Sequence, residues 1–553
     1  MESSKSASDE GTETASKVEV KQDEFSYLER EFTSELFKLE INNLGIFGIG
    51  DFKKMLKSLE IDAAKVKTPH KRDCAFICLK SKEALDEAIK KLTGYVWKGK
   101  TLSVKIARPN ADPYIKRKNE EQQEDSNKKV KRTVESQTVP LAHLTYDQQL
   151  EEKDKEMRKV LTAFGNNLRK LNPSFKLRKD EIPCEFEKIK PSPKIDDYRN
   201  KSEFAIGRNS NNEIVVGFRV GSYSDGSVEV GEIAKLPHIP SKVKEAVLKF
   251  QDFVRQSKFL PFNPEFNSGH FRQLMVRYSE FSKEIMLVPG MYSNNLTEDD
   301  VTELKQSLKD FYSDGEGNLV DVDSLYYQHL GKRETGEMFN PVDHLCGKTH
   351  ITDVIHGLSF RVSPLAFFQV NTAGAEVLYQ SIIDLSEPKE NTTVLDICCG
   401  TGTIGLCFAK YCKNVVGVEI IPDAIEDAKF NAEQNKINNC KFHVGNSDDY
   451  IQSMVKEVVY GTLKKEDLDL VAILDPPRSG LHKKSISAVR SALDLKKIIY
   501  VACNPKAAER NWLDLCKPES KTYKGDPFRP KKAIAVDMFP HTSHTELVML
   551  LER

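Results

Sequence analysis

From residue 394 onward, short apolar runs alternate with helical patterns, and no other stretch restricts the fold so tightly. Strands are predicted at 394–397, 415–420, 441–445, 470–474, 497–501, 533–537 and 546–551. Helical spacing fills most of the gaps, as at 424–435 and 486–493. Strands joined through helices lie parallel, because a right-handed crossover returns the chain to the same sheet in the same direction. The segment therefore predicts a doubly wound α/β sheet. Ligands of such sheets bind beyond the carboxyl ends of the strands, so chemistry is expected there.

The first of these strands runs into Asp396-Ile397-Cys398-Cys399-Gly400-Thr401-Gly402-Thr403-Ile404-Gly405. Glycines let the backbone turn tightly and approach a ligand without a Cβ clash. Glu419 ends the next strand, 19 residues beyond Gly400. An acid at that place can hydrogen-bond a ribose diol. Gly400, Gly402 and Gly405 satisfy the dinucleotide pattern GxGxxG. Asp396, ahead of the glycines, instead favours S-adenosylmethionine, which has an adenosine but no pyrophosphate. The alternative is a purely structural glycine turn.

The fourth strand ends in Asp475-Pro476-Pro477-Arg478-Ser479-Gly480. The proline pair fixes the backbone past the strand end. Methyltransferases of exocyclic amines usually place an aromatic residue after a related Pro-Pro; Arg478 here argues against amine methylation. The fifth strand ends in Tyr500-Val501-Ala502-Cys503-Asn504-Pro505. A cysteine on this rim stands where a nucleophile would, and a helix N-terminus after it is expected to lower the thiol pKa. The alternative is a small buried hydrophobe. The last loop reads Phe539-Pro540-His541-Thr542-Ser543-His544-Thr545-Glu546. Glu546 opens the final strand and is a candidate general base, or else a solvated strand-start residue. His541 and His544 lack partners at zinc-ligand spacing, so no metal is expected.

The remainder of the 553-residue chain predicts further domains. Residues 1–34 are polar and predict a disordered tail; 35–108 read strand, helix, strand, helix, strand, a ferredoxin-like sandwich. Residues 109–170 predict a charged linker and a helix, and 171–358 an α+β domain with strands at 213–220, 227–233 and 284–288. Residues 359–553 form the last domain. Two basic clusters, Lys116-Arg117-Lys118 and Lys128-Lys129-Val130-Lys131-Arg132, read equally as a nuclear-import signal or a solvated linker. With 82 Lys and Arg against 83 Asp and Glu the chain is near neutral, so any nucleic-acid surface is a local patch. No apolar stretch is long enough to span a bilayer. The 11 cysteines are scattered and form no CxxC pair, which points to a reducing cytosol or nucleus and away from zinc or iron–sulfur centres.

Phe367-Phe368-Gln369-Val370-Asn371 followed by DICCGTG, DPPRSG, YVACNP and FPHTSHTE resembles the RNA (uracil-5-)-methyltransferase family, in its eukaryotic tRNA-acting type. The resemblance covers roughly residues 180–553. It implies a class I methyltransferase sheet using S-adenosylmethionine on RNA, most often the T-loop uridine of tRNA. It implies Cys503 as the nucleophile adding to carbon 6 of uracil and Glu546 as the base removing the carbon-5 proton. It further implies Gln369, Cys398, Gly400, Glu419 and Asp475 around the cofactor. Leu39-Glu40-Ile41-Asn42-Asn43-Leu44 and Arg72-Asp73-Cys74-Ala75-Phe76-Ile77-Cys78-Leu79 resemble the two sheet signatures of an RNA recognition motif. Glu40 and Cys74 replace two stacking aromatics there, so sheet-face RNA binding is expected to be weak. Formation of 5-methylcytosine is an alternative, although Arg478 stands where such enzymes usually carry a second cysteine. The remaining alternatives are a non-catalytic RNA-binding protein and, weakest, an NAD-dependent oxidoreductase.

Overall fold

The computed structural model describes residues 37–45, 47–63, 65–68, 73–79, 81–107, 133–221, 228–263, 268–293, 296–331, 340–446, 450–451, 453–456 and 469–553. The tail expected up to residue 34, the two basic clusters and the signature residue Arg72 lie outside them. Residues 37–107 belong to one compact unit; 133–220, 229–262 and 269–553 belong to the other.

In the first unit, four antiparallel strands stand in the order Lys65–Lys67, Ala75–Leu79, Phe37–Asn42, Ser103–Ile106. Helices Ile49–Ser58 and Lys82–Leu92 cover one face. The second helix is capped by Ser81, whose hydroxyl accepts from Ala84 N at 3.2 Å. Strand alternation sends Leu39, Ile41, Ala75 and Ile77 into the core with Phe52, Leu56 and Leu92. Lys38, Glu40, Phe76 and Cys78 take the other face. The strand Lys65–Lys67 has only one apolar residue and was invisible to apolar patterning.

The second unit is built around an eight-stranded mixed sheet. Its order is Cys440–Val444, Asn414–Glu419, Thr392–Ile397, Asp469–Leu474, Lys497–Ala502, Glu546–Glu552, Arg529–Val536, Glu185–Phe186. The first five strands are parallel to one another. Glu546–Glu552 is antiparallel to both of its neighbours. Alternate side chains feed two cores, Leu395, Ile498 and Tyr500 to one face and Val394, Ile499 and Val501 to the other. On the first face lies the long helix Tyr146–Leu171, begun by a Thr145–Gln148 capping box. Its Phe164 meets Trp512 at a ring separation of 5.4 Å. Both rings are fully buried, which contributes roughly 1.5–3 kcal/mol per large apolar side chain.

A seven-stranded sheet precedes it, in the order Val230–Gly231, Ile214–Arg219, Lys201–Arg208, Phe271–Tyr278, Ile285–Tyr292, Ser324–Leu330, Val342–Gly347. Of the strand expected at 227–233, residue 227 lies outside the described residues, and the rest shows a strand at Val230–Gly231. Helices Ser241–Gln256 and Glu298–Ser313 pack on this sheet. A hairpin, Ile351–Ile355 with Leu358–Val362, then leads to the loop 363–371. The fully buried Arg277 pins that loop by donating from Nε to Pro364 O at 3.1 Å and from Nη2 to Ala366 O.

Candidate active site at the carboxyl rim of the eight-stranded sheet

Asp396 is the last residue but one of the strand Thr392–Ile397 and is fully buried. Its Oδ2 accepts from Gly405 N at 3.0 Å, while among the described residues Oδ1 is buried without a hydrogen-bond partner. Past it the backbone turns through positive φ at Cys398 (66°), Gly400 (53°) and Gly402 (77°). A Cβ on Gly402 would meet the Phe442 ring at 2.8 Å, whereas one on Gly400 would meet nothing within 4 Å. The first glycine thus leaves open space above the turn, and the second allows close packing beneath it. Glu419 closes the turn: Oε1 accepts from Ile420 N (2.8 Å) and Ile421 N (3.2 Å), and Oε2 from Gly400 N (3.2 Å).

Three carboxylates share this low-dielectric rim. Burial first, then the charges of Asp475 and Glu419, push Asp396 up to about 7. Burial likewise raises Asp475 to about 7. The Cys398 thiol is pushed up to about 12 by burial and by the carboxylates of Glu419, Asp475 and Asp396. Such a donor set favours a ligand that brings positive charge and hydroxyl donors. S-adenosylmethionine has a sulfonium, an ammonium and a ribose diol, so the residues present fit it.

Cys503 lies half-buried between the strand Lys497–Ala502 and the helix Pro505–Cys516. Asn504 caps that helix, its Oδ1 accepting from Ala507 N at 3.3 Å. The strand register pairs Ala502 with Leu547, which brings the next residues, Cys503 and Glu546, to adjacent strand ends. Glu546 is 2% exposed, so it is no solvated strand-start residue. Burial and Asp475 raise its carboxyl well above the ordinary range, with Arg478 opposing. The expectation of a lowered thiol pKa is overturned. Burial, Glu546 and Asp475 push Cys503 up to about 11, outweighing Arg478 and the backbone hydrogen bond.

Asp475 is therefore within electrostatic reach of Cys398, Cys503 and Glu546, and Cys398 in turn is within reach of Glu419. Gln369 comes from the separate loop and is buried; its carbonyl accepts from Asn200 Nδ2 at 2.8 Å. Among the described residues its side chain makes no hydrogen bond to the rim carboxylates. His541 is engaged by Gln149 (3.2 Å) and Asp196 (2.8 Å). Among the described residues no His, Cys, Asp and Glu cluster could hold a metal, and no helix is long and apolar enough to cross a membrane. Sequence reasoning missed Gln149, Lys153, Asp196 and Asn200. Each reads locally as a solvated polar residue, and only its buried partner reveals it.

Residues 288–553 match the family model described as tRNA (Uracil-5-)-methyltransferase. The chain is 39% identical over 540 residues to tRNA (uracil-5-)-methyltransferase homolog A of Homo sapiens, covering 96% of this chain and 85% of that protein. The Mus musculus homolog A gives 39% over 540 residues, covering 96% and 86%. Among solved structures, Pyrococcus abyssi tRNA (uracil-54, C5)-methyltransferase in complex with S-adenosyl-L-homocysteine superposes with a TM-score of 0.52 at 23% identity, covering 89% of this chain and 92% of that one; it supports the fold. The similarity to homolog A extends over nearly the whole chain and over the rim just described, and by it the chain belongs to the tRNA (uracil-5-)-methyltransferase family of enzymes.

Proposed function

We propose that the protein transfers a methyl group from S-adenosylmethionine to carbon 5 of a uridine in tRNA, at the T-loop. The observation that carries this reading is the adjacency of Cys503 and Glu546 on neighbouring strand ends beside Asp475. Glu419 and the turn at Gly400 would hold the adenosine end of the cofactor, with Asp475, Gln369 and Cys398 lining the rest of its pocket.

Carbon 5 of uracil is a poor nucleophile. The Cys503 thiolate adds to carbon 6, forming a sulfur–carbon bond and moving the 5,6 electron pair toward carbon 5 and the position-4 oxygen. S-adenosylmethionine, when bound, supplies an electrophilic methyl group to carbon 5. Glu546, in its ionised form, takes the carbon-5 proton; the electrons of that bond restore the double bond and expel Cys503 as thiolate. The target base leaves its stack to reach the cysteine. Because burial and then the carboxylates of Glu546 and Asp475 hold the thiol near 11, positive charge on the cofactor side and at Arg478 favours its ionisation.

The four-stranded unit is read as an RRM-like module over residues 35–108, supported by its strand order and its two helices on one face. Residence in the cytosol or nucleus is supported by cysteines that are all free.

The test is mass spectrometry of tRNA nucleosides mapped to position, with RNA containing 5-fluorouracil as a trap. Active protein yields 5-methyluridine and a covalent RNA adduct; Cys503→Ala yields neither. Adduct retained by Cys503→Ala overturns the nucleophile, and 5-methylcytidine as product overturns the reaction.

A further inference from the structure

The loop that runs into Glu546 is gripped from the helix Tyr146–Leu171, which lies outside the segment matched by the family model. Tyr146, Gln149 and Lys153 are spaced by three and four residues and so share one helix face. Gln149 is 1% exposed; its Oε1 accepts from His541 N at 2.7 Å and its Nε2 meets His541 Nδ1 at 3.2 Å. Lys153 is 2% exposed; its Nζ donates to Asp537 Oδ1 at 2.6 Å and to Phe539 O at 2.9 Å. The Tyr146 hydroxyl accepts from Ser192 N at 2.8 Å. Ser192 Oγ in turn accepts from Asn371 Nδ2 at 3.0 Å, and the same Nδ2 donates to Met538 O at 3.1 Å. One helix face thus ties together the loop 537–545 and the loop that carries Gln369.

A buried ion pair is a weak source of net stability, since desolvation offsets the attraction, but its hydrogen bonds fix direction. Lys153 binds a side chain and a carbonyl two residues apart on one loop, which restricts that loop's path into Glu546. We propose that this helix face, through Lys153, positions the Glu546 carboxylate for removal of the carbon-5 proton. Lys153 is a positioning residue: the hydrogen bonds of its ammonium go to Asp537 and Phe539 of the loop. The proposal rests on the reading of Glu546 as the base.

The test compares Lys153→Met, Lys153→Arg and the double variant Lys153→Met/Asp537→Asn. The double variant removes both buried charges and decides the matter where Lys153→Met alone fails to fold. Capture of 5-fluorouracil-containing RNA reports addition of Cys503, because that ring has no carbon-5 proton to remove. Turnover on uridine-containing tRNA reports proton removal. The expected result is wild-type capture rate and kcat/KM for tRNA, a 10- to 100-fold fall in turnover with covalent intermediate accumulating, and partial rescue by Lys153→Arg. Turnover within twofold of wild type, or capture falling in step with turnover, overturns the positioning role. Glu546→Gln is run in parallel. If it turns over normally, the base assignment itself fails; if it stalls while the double variant turns over normally, only the Lys153 proposal fails.

Discussion

The rim of the eight-stranded sheet and the open face of the four-stranded sheet use the same building blocks with opposite results. At the rim, Asp396 is buried with one oxygen unpartnered among the described residues, and burial, then the charges of Asp475 and Glu419, raise its affinity for a proton. The four-stranded sheet instead fills its own face. Lys38 is buried there and lies 5.4 Å from the Phe76 ring centroid, and Cys78 beside it is buried. Unsatisfied buried polarity is costly, so a surface that keeps it is prepared for a ligand. A surface whose one aromatic already faces an ammonium has less to offer a base.

The sharpest test of the rim is Glu546→Gln. It should lower turnover by about 10²–10⁴-fold, the usual contribution of a general base, while the covalent adduct still forms and is released slowly. Normal release would remove the rim's claim to acid–base chemistry. Asp396→Asn tests its stored repulsion. Asp396 is raised to about 7, so the folded state keeps a proton that the unfolded chain has released. Its contribution to stability is therefore full at low pH and lost as pH rises through about 7. In the cofactor-free enzyme the amide should raise Tm at pH 8 by about 1 °C per kcal/mol relieved, with a smaller gain at pH 5.5, and should weaken cofactor binding. A lower Tm at pH 8 would show that the carboxylate is not the strained group. The smallest effect belongs to the other sheet. Phe76→Ala should change tRNA KM less than about threefold, since a stacked base would be worth roughly 1–3 kcal/mol. A tenfold loss would mean that Phe76 stacks on RNA and that the two regions differ less than their packing indicates.

All seven strands expected from residue 394 onward are present, and the turn at Gly400 sits at the end of the first of them. These features are local: apolar runs name strands, and the residues just past each run name the rim. The eighth strand, Glu185–Phe186, is two residues long and exists only through its pairing with Lys532 and Ala533. The strand expected at 227–233 had alternation, but among the described residues its ladder pairing is confined to Val230 and Gly231, with one further backbone bond from Val220 N to Glu229 O. For Cys503, the local cue of a following helix pointed to a lowered pKa. The opposite shift comes from burial and then from Glu546, 43 positions later in the sequence.

By itself, then, the order of residues determined the α/β architecture of the C-terminal half and the candidate chemical groups on its rim, because both are written in contiguous segments. Tertiary structure alone decided which of those groups lie together, how strongly they are protonated and what holds them. Lys153 and Asp537 stand 384 positions apart, and no local pattern can announce a hydrogen bond whose two partners meet only when a helix closes over a sheet.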